Sequence, residues 1–283
     1  MDKATRAFLR LLKTGGALGL LAGAIVAVSD GQKNQGLRVV ANEAARRVDV
    51  TIDGKPFTSY IWPDTLKKPV LFPIRTANGV AVTRGWPLEP RPGERIDHPH
   101  QVGLWFNYGD VNGNDFWNNS DAVKPGERGK LGTIRHIKVN KTTSGKDTGS
   151  LDVTMEWVLE DGTVALREDT TFVFHAGPNL RAIDRITKLT AQKVKVLFRD
   201  NKEGVIGMRV ARQLEQPATR PEVFTDASGK ATSVPVLDNK GVTGLYTSSE
   251  GRKGDDVWGT RAKWTMLSGT IGDEAITLAI LDH

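Results

Sequence analysis

The sequence predicts an all-β protein built as one large antiparallel β-sandwich. Apolar and polar residues alternate with a period of two in many short segments, as in half-buried strands. Gly, Asn and Asp dipeptides separate these segments and are typical of tight turns. After the N-terminal stretch, no eleven-residue window shows a convincing helical period. Without helices to serve as crossovers, neighbouring strands are expected to pair antiparallel in sheets packed face to face.

The strand predictions follow the chain from the region around residue 50. Val48, Val50 and Ile52 alternate with polar residues, and Asp53-Gly54 then closes a hairpin. The clearest alternation runs from residue 151 to 159, and a further Asp-Gly turn follows it. Other extended segments are predicted at residues 69–74, 80–83, 134–139, 166–174, 180–189, 194–198, 205–211, 264–268 and 275–281.

The 283 residues suffice for one large β domain, predicted at residues 30–283. Residues 213–240 are rich in Pro, Ser and Thr, and too little chain follows them to form a second core. We therefore expect an excursion loop there rather than a domain linker. The last predicted strand ends two residues before the C-terminus with nothing to cover its edge, which indicates a C-terminally truncated sandwich.

Residues 1–29 resemble a secretory signal peptide. A basic stretch precedes the apolar residues 17–28, and Ala27-Val28-Ser29 offers the small residues that a signal peptidase favours. The expected location is periplasmic or secreted, and an uncleaved N-terminal anchor is the alternative. The chain contains no cysteine, so it uses neither disulfides nor thiol chemistry.

Charge and hydropathy narrow the possible partners. Half of the formal net charge of +6 lies in the leader, and no run of five Lys or Arg residues occurs, so nucleic acid is not expected as a partner. After Val28 no apolar run approaches the roughly 20 residues of a membrane span. We therefore expect no membrane association after signal cleavage.

The stretch 94–120 combines two histidines, three aspartates, five asparagines and two tryptophans, and we place the candidate site there. Because Pro99 disfavours the α region at His98, the segment His98-Pro99-His100 is expected to be extended, with both imidazoles on one face. The turn-rich residues 107–115 could then fold Asp110, Asn112 and Asp115 over the histidines.

Two same-face histidines near carboxylates suit two kinds of chemistry. The first is a divalent metal site, with His98 and His100 as ligands and Asp110, Asp115 or Glu203 completing the set. The second is metal-free proton transfer, in which a histidine acts as acid or base beside a carboxylate. The alternative without function is that His98 caps a turn and His100 packs in the core.

Two further groups of residues support a polar substrate. In residues 199–204, Glu203 could act as an acid or base beside Arg199 and Lys202, although such charges also form ordinary solvated turns. In residues 258–264, Trp258 could stack on a sugar ring while Arg261 bonds its hydroxyls, with core packing as the alternative. This inventory indicates carbohydrate recognition more than nucleotide or acyl chemistry.

The segments DHPHQVGLWFNYGDVNGNDFW from Asp97, NKEGVIGMRVA from Asn201 and VWGTRAKW from Val257 resemble the PmoA family of exported bacterial proteins, also labelled methane oxygenase PmoA. The resemblance covers nearly all of the chain after the leader. It implies a fold similar to the galactose-mutarotase-like β-sandwich, with a saccharide cleft crossed by histidine and carboxylate. Relatives often carry a third histidine directly after HPH, where this chain has Gln101.

These observations predict a carbohydrate-active protein that acts as an isomerase, lyase or hydrolase by acid/base chemistry. The expected catalytic residues are His98, His100, Asp110 and Glu203, and the expected substrate contacts are Asn112, Asp115, Trp258 and Arg261. A metal-dependent oxidoreductase and a non-catalytic glycan-binding module are the alternatives.

Overall fold

The computed structural model describes residues 35–124, 126, 129–234 and 238–282, so the expected signal peptide at residues 1–29 lies outside it. Within these residues the prediction of an all-β, antiparallel architecture is confirmed. The strands are β1 Leu37–Asn42, β2 Arg47–Ile52, β3 Lys55–Ile61, β4 Val70–Leu71, β5 Leu104–Tyr108, β6 Thr133–Thr143, β7 Thr148–Val158, β8 Val164–Ala176, β9 Arg181–Ala191, β10 Gly204–Met208, β11 Glu222–Thr225, β12 Ala231–Val234, β13 Leu245–Ser248, β14 Trp264–Ile271 and β15 Glu274–Leu281. Three 3₁₀ turns are formed by Glu43–Ala45, Arg212–Leu214 and Gly254–Val257.

Two sheets face each other and enclose the main core. The first has the strand order β1-β2-β3-β4-β5-β10, and the second has the order β6-β7-β8-β9. Inward-facing side chains of both sheets interdigitate; the Phe57 ring, for example, meets Phe174 edge-on at 6.3 Å between centroids. Each fully buried large apolar side chain stabilises such a core by about 1.5–3 kcal/mol.

The outer face of the first sheet carries a second, smaller hydrophobic cluster, which we call the outer cluster. It contains the buried residues Val70, Phe72, Val102, Trp105 and Trp117. Because side chains alternate along a strand, Trp105 points outward while its neighbours Leu104 and Phe106 pack against the main core. The long connection from β4 to β5, which carries the histidines, contributes Phe72 and Val102 to this cluster, whereas its Ile74 and Val82 belong to the main core.

The Asp-Gly turns form as predicted. Asp53 and Gly54 join β2 to β3 with φ values of 50° and 76°, the left-handed pair that a type I′ hairpin requires. Gly162 lies in the connection between β7 and β8 with φ 86°.

The strand predicted at residues 194–198 is wrong. Apart from a single bridge from Phe198 to Val111, the segment lies outside the sheets, because the Asn112 side chain bonds the Lys195 carbonyl and the Leu197 amide that a strand ladder would use.

The strands predicted at residues 69–74 and 80–83 shrink to β4 and to isolated bridges. Pro73, which has no N–H to donate, ends the first of them. The excursion loop expected at residues 213–240 contains the hairpin β11–β12.

The strands β13, β14 and β15 form a separate three-stranded sheet, from which Leu267 and Ile276 reach into the main core. The described residues belong to one compact unit. None of the helical segments in the described ranges has the length and apolar character needed to cross a bilayer.

Candidate functional site

The two histidines lie in a tight turn, so the prediction of an extended segment is wrong. The Gln101 amide donates to the His98 carbonyl at 2.9 Å, which places Pro99 and His100 at the centre of a β-turn. Pro99 suits the first central position because its ring presets φ near −65°. His98 has a φ of 44°, a left-handed value that breaks the alternation of side chains expected for a strand. The imidazoles nevertheless lie side by side, with ring centroids 5.6 Å apart and planes at 84°.

The buried Arg84 side chain stabilises this turn through hydrogen bonds to its backbone. Its side chain is 1 % exposed, and its two terminal nitrogens donate to four backbone carbonyls, those of Arg95, Asp97, His98 and Gln101, at 2.9–3.3 Å. Burial, followed by the charge of Arg209, lowers the pKa of Arg84 to about 10, so the guanidinium stays charged at neutral pH. One buried cation therefore fixes the path of the histidine turn.

Asp97 connects the turn to a network of charges. Its Oδ1 accepts from Arg84 and Arg209 at 2.6 Å each, and its Oδ2 lies 2.9 Å from His98 Nδ1. Burial would raise the pKa of Asp97, but the hydrogen bond with His98 and the charges of Arg209 and Arg84 outweigh it and hold the pKa well below its usual range. Because the carboxylate is ionised, His98 Nδ1 must be the donor of this bond.

Glu215 is the second carboxylate of the network. Its side chain is 11 % exposed and lies within 2.7–3.5 Å of guanidinium nitrogens of Arg95, Arg209 and Arg212. Arg209 bridges the two carboxylates and also donates to Gln101 Oε1 at 3.0 Å. The network thus ties the histidine turn to the segment that follows β10.

A cavity of about 740 Å³ opens beside this network, and we call it the cleft. Its floor is the outer face of β5 and β10, where Trp105 and Gly207 pair across the ladder. Gly207 is required there, because a Cβ at this position would lie 2.4 Å from the Trp105 ring. The remaining charged and aromatic lining comes from Arg95, Trp117, Arg209, Glu215, Arg220, Glu222, Tyr246, Asp255 and Trp258.

With this geometry established, comparison with known proteins places the chain. The pattern of a family of unknown function, DUF6807, matches residues 47–283. The chain belongs to this family. No curated protein and no solved structure matches it. The matched DUF6807 region contains the histidine turn, the charge network and the whole cleft.

Two of the four residues predicted to be catalytic do not reach the histidines. Asp110 and Glu203 lie beyond the Tyr108 end of the β5–β10 ladder, whereas the histidine turn precedes its Leu104 end. Five residues of strand separate the two ends, which is roughly 13 Å. Asp110 instead accepts from the Gly113 amide at 2.8 Å, and Glu203 lies beside Lys202 at 3.2 Å.

Two of the predicted substrate contacts also have structural roles. Asn112 is occupied with the backbone of Lys195 and Leu197, as described above. Asp115 Oδ1 accepts from the amides of Trp117 and Asn118 at 2.7 and 2.9 Å, so it caps a turn.

Of the other two predicted substrate contacts, Trp258 lies at the cleft and Arg261 does not. Trp258 is 80 % exposed and lines the cleft. Arg261 is exposed and is not part of the cleft wall as far as the described residues define it.

The predicted metal site is not formed. No group of three or more His, Asp or Glu side chains in the described ranges is placed to hold a metal ion. Asp110 and Glu203 are separated from the histidine turn, and both oxygens of Asp115 accept hydrogen bonds from Trp117 and Asn118, so His98 and His100 lack the expected third ligand.

The buried Lys68 and the half-buried His100 are neighbours under the turn. Lys68 is 4 % exposed, donates to the His100 carbonyl at 2.7 Å and lies 5.7 Å from the centre of the Trp105 ring. Burial lowers the pKa of Lys68 to about 7, against the charge of Asp115. Burial, with the nearby charge of Lys68, lowers the pKa of His100 to about 3, so its ring is neutral at physiological pH.

Sequence reasoning missed Arg84, Arg209 and Glu215. Arg84 and Arg209 each follow an apolar segment, VAVT and VIGM, that reads as a strand. A single arginine at the end of an apolar strand suggests a buried ion pair, because arginine is almost never buried without a partner. That signal was available, but it does not identify the partner.

Proposed function

We propose that this DUF6807 protein is an extracytoplasmic carbohydrate-active protein that binds a saccharide in the cleft. The supporting observation is the composition of the cleft wall, where the exposed Trp258 and the half-buried Tyr246 lie with Arg209 among the lining residues, over a floor that contains the buried Trp105 and Trp117. Aromatic faces stack on the C–H faces of sugar rings, and arginine donates in a planar fork. A volume of about 740 Å³ falls in the range of small-molecule sites.

The proposal includes proton transfer by His98, which is joined to the cleft through Asp97 and the cleft residue Arg209. His98 is 54 % exposed, and its Nδ1–H is held by the ionised Asp97, so Nε2 is left as a proton acceptor. Asp97 orients the ring and is itself fixed by Arg84 and Arg209. This arrangement suits an isomerase, lyase or hydrolase in which His98 removes or delivers a proton.

A panel of neutral and acidic oligosaccharides tests the proposal, with binding measured by calorimetry and turnover by product analysis. Trp258→Ala should weaken binding about fivefold or more, because it removes one stacking surface. His98→Asn should abolish turnover and retain binding. Leu180→Ala alters an exposed apolar residue outside the cleft and should leave both unchanged. Absence of binding to every saccharide, or binding unaffected by Trp258→Ala, would refute the proposal.

A non-catalytic glycan-binding module is the second candidate, and one observation favours it. The cleft carboxylates are already engaged: Glu215 and Glu222 by Arg95, and Asp255 by the side-chain amide of Gln216. His98 therefore has no free carboxylate there as a second proton-transfer group. A module of this kind retains affinity without turnover, and any product released from the panel excludes it.

A further inference from the structure

The cleft wall contains buried donors that have no acceptor. Trp105 is 2 % exposed and lines the cleft, and its Nε1–H lacks a hydrogen-bond partner among the described residues. The same holds for Nε–H of Arg209, whose other nitrogens bond Asp97, Gln101 and Glu215. A buried donor without a partner destabilises the protein, so a bound group that accepts from it is favoured.

One of the cations that line the cleft has no partner among the described residues. The lining carries three arginines and three carboxylates, which are Arg95, Arg209 and Arg220, and Glu215, Glu222 and Asp255. Arg220 is exposed at the cleft and forms no ion pair or hydrogen bond within the described part of the chain. The cleft therefore offers one guanidinium group that is free to meet an anion.

We propose that the cleft selects a saccharide that carries a carboxylate, namely a uronic acid unit. This inference rests on the saccharide-binding function proposed above. Arg209 Nε–H and Trp105 Nε1–H donate to the carboxylate, and Arg220 pairs with it from the opening. A carboxylate has only hydrogen-bond acceptors, so it can accept from both donors at once. A sugar hydroxyl also carries a proton, which would need an acceptor of its own.

Methyl esters provide the matched probe, because esterification removes the charge and keeps every ring hydroxyl. We would measure calorimetric binding of trigalacturonic acid, glucuronic acid, their methyl esters, the neutral sugars galactose and glucose, and galactose 6-sulfate. At least one acid should bind about tenfold more tightly than its ester, as expected for a hydrogen bond to a charged group. The preference should shrink between about 0.01 and 1 M salt, as the Debye length falls from about 30 to 3 Å.

Arg220→Gln should lower the preference for acid over ester by about threefold or more and leave the ester affinity unchanged. Arg220 is exposed, so this variant should fold. Arg38→Gln is the matched control, since Arg38 is exposed on β1 and β1 and β10 lie at opposite edges of the first sheet.

Equal binding of acid and ester, tighter binding of the sulfate than of either acid, or an unchanged preference in Arg220→Gln would each overturn this inference. If neutral sugars bind and acids do not, the saccharide-binding function survives and the carboxylate preference fails. If no sugar binds at all, both proposals fail.

Discussion

At the scale of single residues, Arg84 decides the shape of the candidate site. It is a buried cation whose hydrogen bonds go mainly to backbone carbonyls of the histidine turn, so it acts through geometry rather than by contact with a substrate. A lysine could carry the charge but could not span four carbonyls, because its ammonium lacks the planar fork of arginine.

Replacing Arg84 should therefore damage both stability and the site. Arg84→Met leaves several buried carbonyls and Asp97 short of a donor, and we expect a loss of about 3–5 kcal/mol in the free energy of unfolding. Arg84→Lys should cost less but still more than about 1 kcal/mol. Urea denaturation measures both, with Arg38→Met as the exposed control, expected within about 0.5 kcal/mol of the parent. A near-neutral Arg84→Met would contradict this role.

The buried Lys68 should make the free energy of unfolding depend on pH above neutrality. In the unfolded chain lysine keeps its proton up to about pH 10.5, whereas in the fold Lys68 loses it near pH 7. Between these values the unfolded state binds more protons, so the free energy of unfolding should rise with pH, by at most about 1.4 kcal/mol per unit. This rise in the free energy of unfolding should be complete near pH 10.5 and absent below about pH 7.

Urea denaturation between about pH 7 and 10 checks this dependence in the parent and in Lys68→Met. The variant has no amine at this position, so its stability should rise less steeply over the same window. Lys138→Met, at an exposed position of β6, should retain the slope of the parent. Identical slopes in the parent and Lys68→Met would show that the lysine is not held as the structure indicates.

At the scale of elements, the two faces of the β5–β10 ladder serve different purposes: one packs in the main core and the other forms the floor of the cleft. Its inner face presents Phe106 to the main core, and its outer face presents Trp105 to the cleft. Behind Phe106, the wholly buried Glu168 of β8 accepts from Trp157 Nε1 at 2.7 Å and pairs with Arg185 of β9. The Arg185 guanidinium lies 4.5 Å from the centre of the Phe106 ring. An ion pair inside the sandwich therefore supports the floor of the cleft.

A double-mutant cycle on this pair should show strong coupling. Glu168→Met leaves Arg185 as an unpaired buried cation, and we expect a cost of about 3–5 kcal/mol. Adding Arg185→Met removes that charge, so the double variant should be more stable than the sum of the single changes predicts, by about 2 kcal/mol or more. Chemical denaturation of the four proteins measures the coupling. Additive effects would mean that the two charges do not share one buried site.

At the scale of the whole molecule, stability is unevenly distributed. The strands β7 and β8 lie in the middle of the second sheet, and Leu151, Val153, Trp157, Leu166 and Phe174 are at most 2 % exposed. The hairpin β11–β12 forms a two-stranded sheet, and Ala231, Thr232 and Ser233 of β12 are exposed. An element that buries little apolar surface opens at low free energy.

Amide hydrogen exchange should reveal this difference. Amides of β7 and β8 should exchange at least about a hundredfold more slowly than those of β12, a difference of about 2.7 kcal/mol in opening free energy. Mass spectrometry of peptides covering the three strands measures the rates. Equal protection across them would indicate that the hairpin unfolds only together with the core.

The local sequence pattern was sufficient to predict the fold class. Alternation of apolar residues, as in 151–159, and the left-handed preference of Asp53-Gly54 act over a few residues, and both predictions are confirmed. Pattern also selected Trp258, which lines the cleft, and the histidine pair, whose role stays a prediction. It gave the histidines an extended backbone, because Pro99 fits a turn as readily as a strand.

The partners of those residues were decided by tertiary structure. Asp110 and Glu203 are chemically suitable companions for His98, yet the ladder places them at its other end, while Arg84, Arg209 and Glu215 converge from distant segments. Charge pairing across such separations depends on strand order and register, which nearest-neighbour residues do not encode. The sequence by itself determined a sandwich of antiparallel strands and the position of its polar loop. Only the packing of that loop over the outer face of the first sheet determined which charges meet there.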